Sequence, residues 1–248
     1  MEEKNMSGLV ANPKKSLSYS SEQIIDRRRR LLTEARRMIA EGGLENLSIR
    51  KLCQRADVAQ RTFYNAYESK DRLIALAIRE AYEDFQKFIS YRTDPFSLEG
   101  VIDRTLSTNR RNFKVRNYTK AIVSIYFSST TSNDIWETIQ DMTQRGWADW
   151  FKILKERGSF KEWAEPGRVA NEMANLQYSI INDWCLGRLP DEEYLSALFT
   201  ATLTLLIGAT KGELVDQAEE MLLTFHVTGK FPEFPMPLGR VATDENGD

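Results

Sequence analysis

Ile39-Ala-Glu-Gly-Gly-Leu-Glu-Asn-Leu-Ser-Ile-Arg-Lys-Leu-Cys-Gln-Arg-Ala-Asp-Val-Ala-Gln-Arg-Thr-Phe-Tyr-Asn-Ala-Tyr-Glu-Ser-Lys-Asp-Arg-Leu73 is the stretch on which the fold turns. Within it Ile49, Leu52, Cys53 and Ala56 recur at i, i+3, i+4 and i+7, one face of a helix of about two turns, and Ser48 stands where an N-cap is needed. Asp57 and Val58 interrupt the pattern. A third short helix is predicted from about Gln60 to Ala66, and Ser69 can cap a fourth, from Lys70 to about Tyr91, with Leu73, Leu76, Ala77 and Ala81 spaced for packing.

Upstream, Ser20-x-x-Gln23 forms a possible capping box, and Ile24, Leu31, Ala35 and Met38 continue at helical spacing until the Gly42-Gly43 pair supplies a left-handed stop. One long helix followed by two short ones across a tight turn describes a helix-turn-helix. Residues 1–20, with Gly8, Pro13, Lys14 and Lys15 and no periodic apolar positions, read as a flexible basic arm.

Charge is divided unevenly along the chain. Residues 1–72 hold 15 Lys and Arg against 10 Asp and Glu, whereas residues 73–248 hold 19 against 26. The positive excess therefore falls on the helix-turn-helix third, where a phosphate backbone could be met.

From Pro95 onward the pattern stays helical, with breaks expected at residues 93–95, 128–133, 157–159, 165–167, 187–190 and 211–213. No alternating segment of strand length stands out, so the fold class is all-α. The expected organisation is an arm over 1–20, a DNA-binding domain over 21–72, a larger helical domain over 73–230, and a Pro-rich, acidic tail over 231–248. Cys53 and Cys185 are the only cysteines and have neither pairing nor metal-ligand spacing. No apolar run of signal-peptide length opens the chain, and Leu195 to Ala209 is broken by threonines and too short to span a bilayer. A reducing, cytoplasmic location without membrane contact is expected.

The quoted stretch resembles the DNA-binding domain of TetR-family transcriptional regulators over about 50 residues from Ile24. The glycine turn, the Ser-Ile-Arg-x-Leu opening of helix two, Thr-x-Tyr and Ser-Lys-x-x-Leu carry the resemblance. Three positions depart from it: Asp57 stands where glycine is common, Ala66 where histidine is frequent, and Tyr67 where phenylalanine is usual. Asp tolerates the left-handed conformation better than most residues, so the turn survives.

The resemblance implies a homodimeric regulator, in the usual case a repressor, on double-stranded operator DNA. Arg50, Gln60, Arg61 and Asn65 are the candidates for base contact, since Arg can pair bidentately with guanine and Gln or Asn with adenine. Thr62, Tyr64 and Lys70 are the candidates for phosphate, by matched position and, for Lys70, by its place at a helix N-terminus.

The rest of the chain is rich in aromatics. Phe113, Tyr126, Trp147, Trp150, Phe151, Tyr178 and Trp184 are candidates to line a cavity for a small apolar or aromatic effector. By family analogy the last long helices, about Arg168 to Leu186 and Asp191 to Thr210, are expected at the dimer interface, with Leu195, Leu198, Phe199, Leu203 and Leu206 as its apolar seam. No cofactor, metal or catalytic residue is expected: the only histidine, His226, adjoins the Pro-rich tail, and no phosphate loop or metal spacing is present. The competing reading is a DNA-bound architectural or partner-recruiting protein without an effector, which a closed core lacking a cavity would favour.

Overall fold

The computed structural model describes residues 13–87 and 89–235. Among the described residues ten α-helices follow one another: α1 (Pro13–Gly42), α2 (Ile49–Arg55), α3 (Gln60–Tyr67), α4 (Lys70–Lys87), α5 (Leu98–Asn112), α6 (Arg116–Tyr126), α7 (Asn133–Glu156), α8 (Pro166–Cys185), α9 (Asp191–Ala209) and α10 (Glu213–Thr228). Among the described residues no strand forms, and Phe160 and Thr210 pair in an isolated antiparallel bridge.

Local chemistry accounts for most boundaries. The Ser48 hydroxyl accepts from the Lys51 amide at 3.2 Å and starts α2; Ser97 does the same for Gly100 at 3.0 Å and starts α5. Gly43 takes a positive φ of 71° after α1, and Asp57 one of 51° in the turn between α2 and α3, as the tolerance of these residue types allows. Pro166 opens α8, where its missing N–H has no helical acceptor to satisfy.

Two boundaries differ from the sequence expectation. Helix α1 begins at Pro13, seven residues before the Ser20 capping box, so the arm expected over 1–20 is helical from Pro13; residues 1–12 lie outside the described residues. No Gly or Pro falls between Lys14 and Glu41 to stop the helix, and Pro13 is well suited to a first turn. The junction of α5 and α6 carries no Gly or Pro either, yet a 3-10 turn at Phe113–Val115 divides them.

Apolar side chains collect in two clusters. The first runs without a break from Leu31, Leu52, Phe63 and Leu73 through Val123 and Ile139 to Tyr178, Trp184 and Tyr194. It therefore welds the helix-turn-helix to α4, α6, α7 and α8. The second joins Ile102, Trp150, Phe151, Met173, Phe199, Leu203 and Leu206 at the far end, where α10 closes over α5 and α9. Phe231, at the start of the tail, packs against Phe199 and Phe225 with ring centroids 5.5 and 4.9 Å away. Residues 236–248 of the tail lie outside the described residues.

Candidate DNA-binding face and internal cavity

Helix α3 is held by its inner side. Phe63 and Tyr67 are buried against α1 and α4, and the Tyr67 hydroxyl donates to the Arg28 carbonyl of α1 at 2.8 Å. Burial pushes the Tyr67 hydroxyl up to about 12, so it stays a neutral donor. Two arginines staple the unit from the flanks. Arg55 reaches back to Glu34 and Glu41 of α1, both at 2.8 Å, and this pairing holds the Glu41 carboxyl below its ordinary value. Arg30 donates to the Ala56 carbonyl at 2.9 Å, fixing α1 to the turn.

The outer side is the reverse. Arg50, Gln60, Arg61 and Asn65 are all exposed, and none forms an ion pair or side-chain hydrogen bond among the described residues. The expected base readers thus all stand in solvent on α2 and α3, with no internal partner to compete for them. Tyr64 joins them, half exposed with its ring edge-on to Phe63 at 5.2 Å. Thr62 is half-buried in the first turn of α3. Lys70 differs: it is half-buried, and its ammonium lies 3.5 Å from the Leu44 carbonyl, turned toward the α1–α2 connection.

A cavity of about 190 Å³ lies further in, between α4, α5, α6, α7 and α8. Val101, Ile122, Val123, Met142, Trp147 and Ile181 give it apolar walls; Thr105, Thr108, Asn109, Asn112, Thr119 and Gln177 add neutral polar groups. Its one charged lining residue, Arg104, is engaged by the carbonyls of Gly100 at 2.7 Å and Thr93 at 3.0 Å. The Tyr178 hydroxyl in its wall is satisfied as well, donating to the Ile139 carbonyl at 2.9 Å and accepting from Thr143 at 2.7 Å. Asn109 and Asn112 tie the cavity wall to α9: the Tyr194 hydroxyl donates to Asn109 at 2.7 Å and accepts from Asn112 at 2.8 Å.

Residues 31–77 match the family model described as bacterial regulatory proteins, tetR family. The chain carries a TetR-family DNA-binding domain. Its overall fold is similar to that of a TetR transcriptional regulator from Rhodococcus sp. RHA1, with 17% identity, a TM-score of 0.55 and coverage of 75% of this chain and 98% of that one. It is also similar to RolR, solved in complex with resorcinol (14% identity, TM-score 0.52, 87% and 100% covered), and to Salmonella enterica GusR (18% identity, TM-score 0.51, 73% and 95% covered). No curated protein matches the chain.

The TetR-type architecture places the expected pocket aromatics in three different settings. Trp147 and Tyr178 line the cavity. Tyr126 lies outside its lining, packed between Trp136 and Tyr178, with its hydroxyl bonded to Asn175. Trp150 and Phe151 turn away into the second core cluster against Phe160. Phe113 and Trp184 pack with Tyr194 at the α8–α9 junction, where Trp184 stacks on Tyr194 at 4.3 Å and donates to Asp191 at 2.8 Å. These five lie outside the lining of this cavity, as rings that fill the space where a helix faces its neighbours. The polar part of the lining escaped sequence reading: Thr105, Thr108, Asn109 and Asn112 recur at i, i+3, i+4 and i+7, a spacing that reads as a solvated helix face.

The apolar seam expected at the dimer interface is packed largely within the chain itself. Leu198, Phe199, Leu203 and Leu206 are at most 1% exposed within a single chain, packed against α5, α8 and α10, and Leu195 is half-buried. The outward face of α9 carries Ala197, Thr200, Ala201, Thr204 and Gly208 instead. No helix among the described residues is long and apolar enough to cross a membrane.

Proposed function

We propose that this protein is a homodimeric repressor that binds a pseudo-palindromic operator and leaves it when a small, single-ring effector enters the cavity space beside α4. The observation that carries the reading is the polar face of α2 and α3, where Arg50, Gln60, Arg61 and Asn65 project without internal partners from helices fixed by Phe63, Tyr67 and Arg55. Base readout requires this combination of free hydrogen-bonding ends on a rigid support. Thr62 and Tyr64 would hold phosphate from the same face, and Lys70 would join them by swinging away from Leu44.

A cavity supports an effector over the purely architectural reading. Its volume of about 190 Å³ exceeds the roughly 150 Å³ that suffices for benzene in an engineered apolar cavity, so one substituted ring fits. Helix α4 is the lever. Lys70 stands beside the recognition helix and Tyr82 in the cavity wall, 12 positions apart and therefore roughly 18 Å along the axis. An effector that binds better to a state with displaced α4 shifts the spacing of the two recognition helices away from one DNA turn. The outward faces of α8 and α9, with small side chains on α9, would form the two-fold contact.

Selection of bound duplexes from a random pool by the purified protein tests the reading. A pseudo-palindrome with half-sites about one turn apart is the expected product. Absence of enrichment contradicts the regulator reading. Titration of the recovered complex with resorcinol and other single-ring compounds then tests release.

A further inference from the structure

A second compartment, of about 220 Å³, adjoins the main cavity and shares Tyr82, Thr108, Asn112, Thr119 and Ile122 with it as a common wall. It differs in charge and in position. Arg36 and Ala40 of α1, Ile78 and Ala81 of α4, and Arg111 of α5 complete it together with Tyr118 of α6. It thus opens between the DNA-binding domain and the helical domain, whereas the main cavity touches only the latter.

Two guanidinium groups converge here. Arg111 is depressed below its ordinary value by burial and by repulsion from Arg36, yet a guanidinium stays charged over the working pH range. Asp84 answers Arg36 at 2.9 Å, in a bridge from α1 to α4 that is about a third exposed on the arginine side. The Tyr118 hydroxyl is buried with no hydrogen bond of standard geometry, and the Arg36 guanidinium stands beside it. Glu80 is the weakest of the charges that Tyr118 feels. The hydroxyl still carries a proton to donate, and two guanidinium groups line the same compartment, a donor set that favours an anion. Ile78, Ala81, Val115 and Ile122 leave room beside that anion for an apolar body.

We infer that the effector is a small aromatic or alkyl carboxylate, its carboxylate held by Arg36, Arg111 and Tyr118 and its apolar body lying against the wall shared with the main cavity. The inference rests on the effector-released reading above and names the chemical class of its ligand. It also supplies a coupling step. The incoming carboxylate competes with Asp84 for Arg36, so binding loosens a bridge between α1 of the DNA-binding domain and the lever helix α4. An uncharged ligand has no such purchase on α1.

The test compares matched acids and amides on the full chain: benzoate against benzamide, and 3-phenylpropanoate against 3-phenylpropanamide, by calorimetric titration at fixed ionic strength. Acids should bind about tenfold or more tightly than their amides, the factor that one charge-assisted hydrogen bond supplies. Arg111→Gln should abolish the preference and Arg111→Lys keep most of it, while Tyr118→Phe, which preserves the packing, should reduce it. Amides binding as well as acids, an acid preference that survives Arg111→Gln, or no binding by any of the four overturns the inference. Failure of the wider reading has a different signature: no selected operator, or an operator complex that no bound compound releases.

Discussion

In the helix-turn-helix the apolar and polar faces separate cleanly, whereas α9 is apolar over most of its circumference. The first region buries Leu52, Phe63 and Tyr67 on one side and presents Arg50, Gln60, Arg61 and Asn65 on the other. In the second, Tyr194, Leu198, Leu203 and Leu206 are buried by neighbours in the same chain, Leu205 and Ile207 are half-buried, and Thr200, Thr204 and Gly208 remain outside. Periodicity reports that a face is buried; it does not report whether the covering surface belongs to the same chain or to a second copy. A short amphipathic helix leaves no such ambiguity, because it has a single face to bury.

The two regions should therefore fail differently. Phe63→Ala removes a fully buried ring from under α3 and is expected to cost about 3–5 kcal/mol; chemical denaturation should show the loss, with operator binding falling alongside. Leu203→Ala, in α9, is expected to cost about 2–5 kcal/mol by the same cavity mechanism, with the monomer–dimer equilibrium unchanged when measured by sedimentation under folding conditions. Thr204→Arg, one residue on and exposed, should do the opposite, weakening self-association while changing stability by no more than about 0.5 kcal/mol. Dissociation by Leu203→Ala with no loss of stability would restore the seam that the sequence pattern suggests. The smallest effect concerns the turn. Asp57→Gly relieves a positive φ of 51° and should raise stability by up to about 1 kcal/mol, provided that the turn conformation, and not the distant Arg30 contact at 3.7 Å, decides the outcome.

These differences explain what was legible in the sequence. Ser48, Gly43 and Asp57 announce helix ends through chemistry that acts within a few residues, and the structure follows them. The exposure of the proposed readers on α3 is legible for the same reason: a two-turn helix with Phe63 and Tyr67 inward must turn Arg61 and Asn65 outward. Glu68, which takes a positive φ of 63° at the end of α3, was not legible, since a glutamate carries no turn signal. The cavity was legible only through Trp147 and Tyr178. Its polar lining on α5 has the spacing of a solvated face, and only tertiary packing against α6, α7 and α8 turns that face inward. The break between α5 and α6 similarly lacks Gly or Pro and is set by how Phe113 lodges against Trp184 and Tyr194.

Arg55 and Arg61, six positions apart, condense the same contrast. The first is spent on Glu34 and Glu41 inside the domain, and the second projects with no partner among the described residues. The most direct measurement is to repeat the duplex selection with Arg61→Ala beside the unaltered protein. Half-site spacing should be retained, with preference relaxed at one position in each half-site, equivalent to about 1–3 kcal/mol of lost discrimination. A recovered motif unchanged at every position would contradict the assignment of this face to base readout.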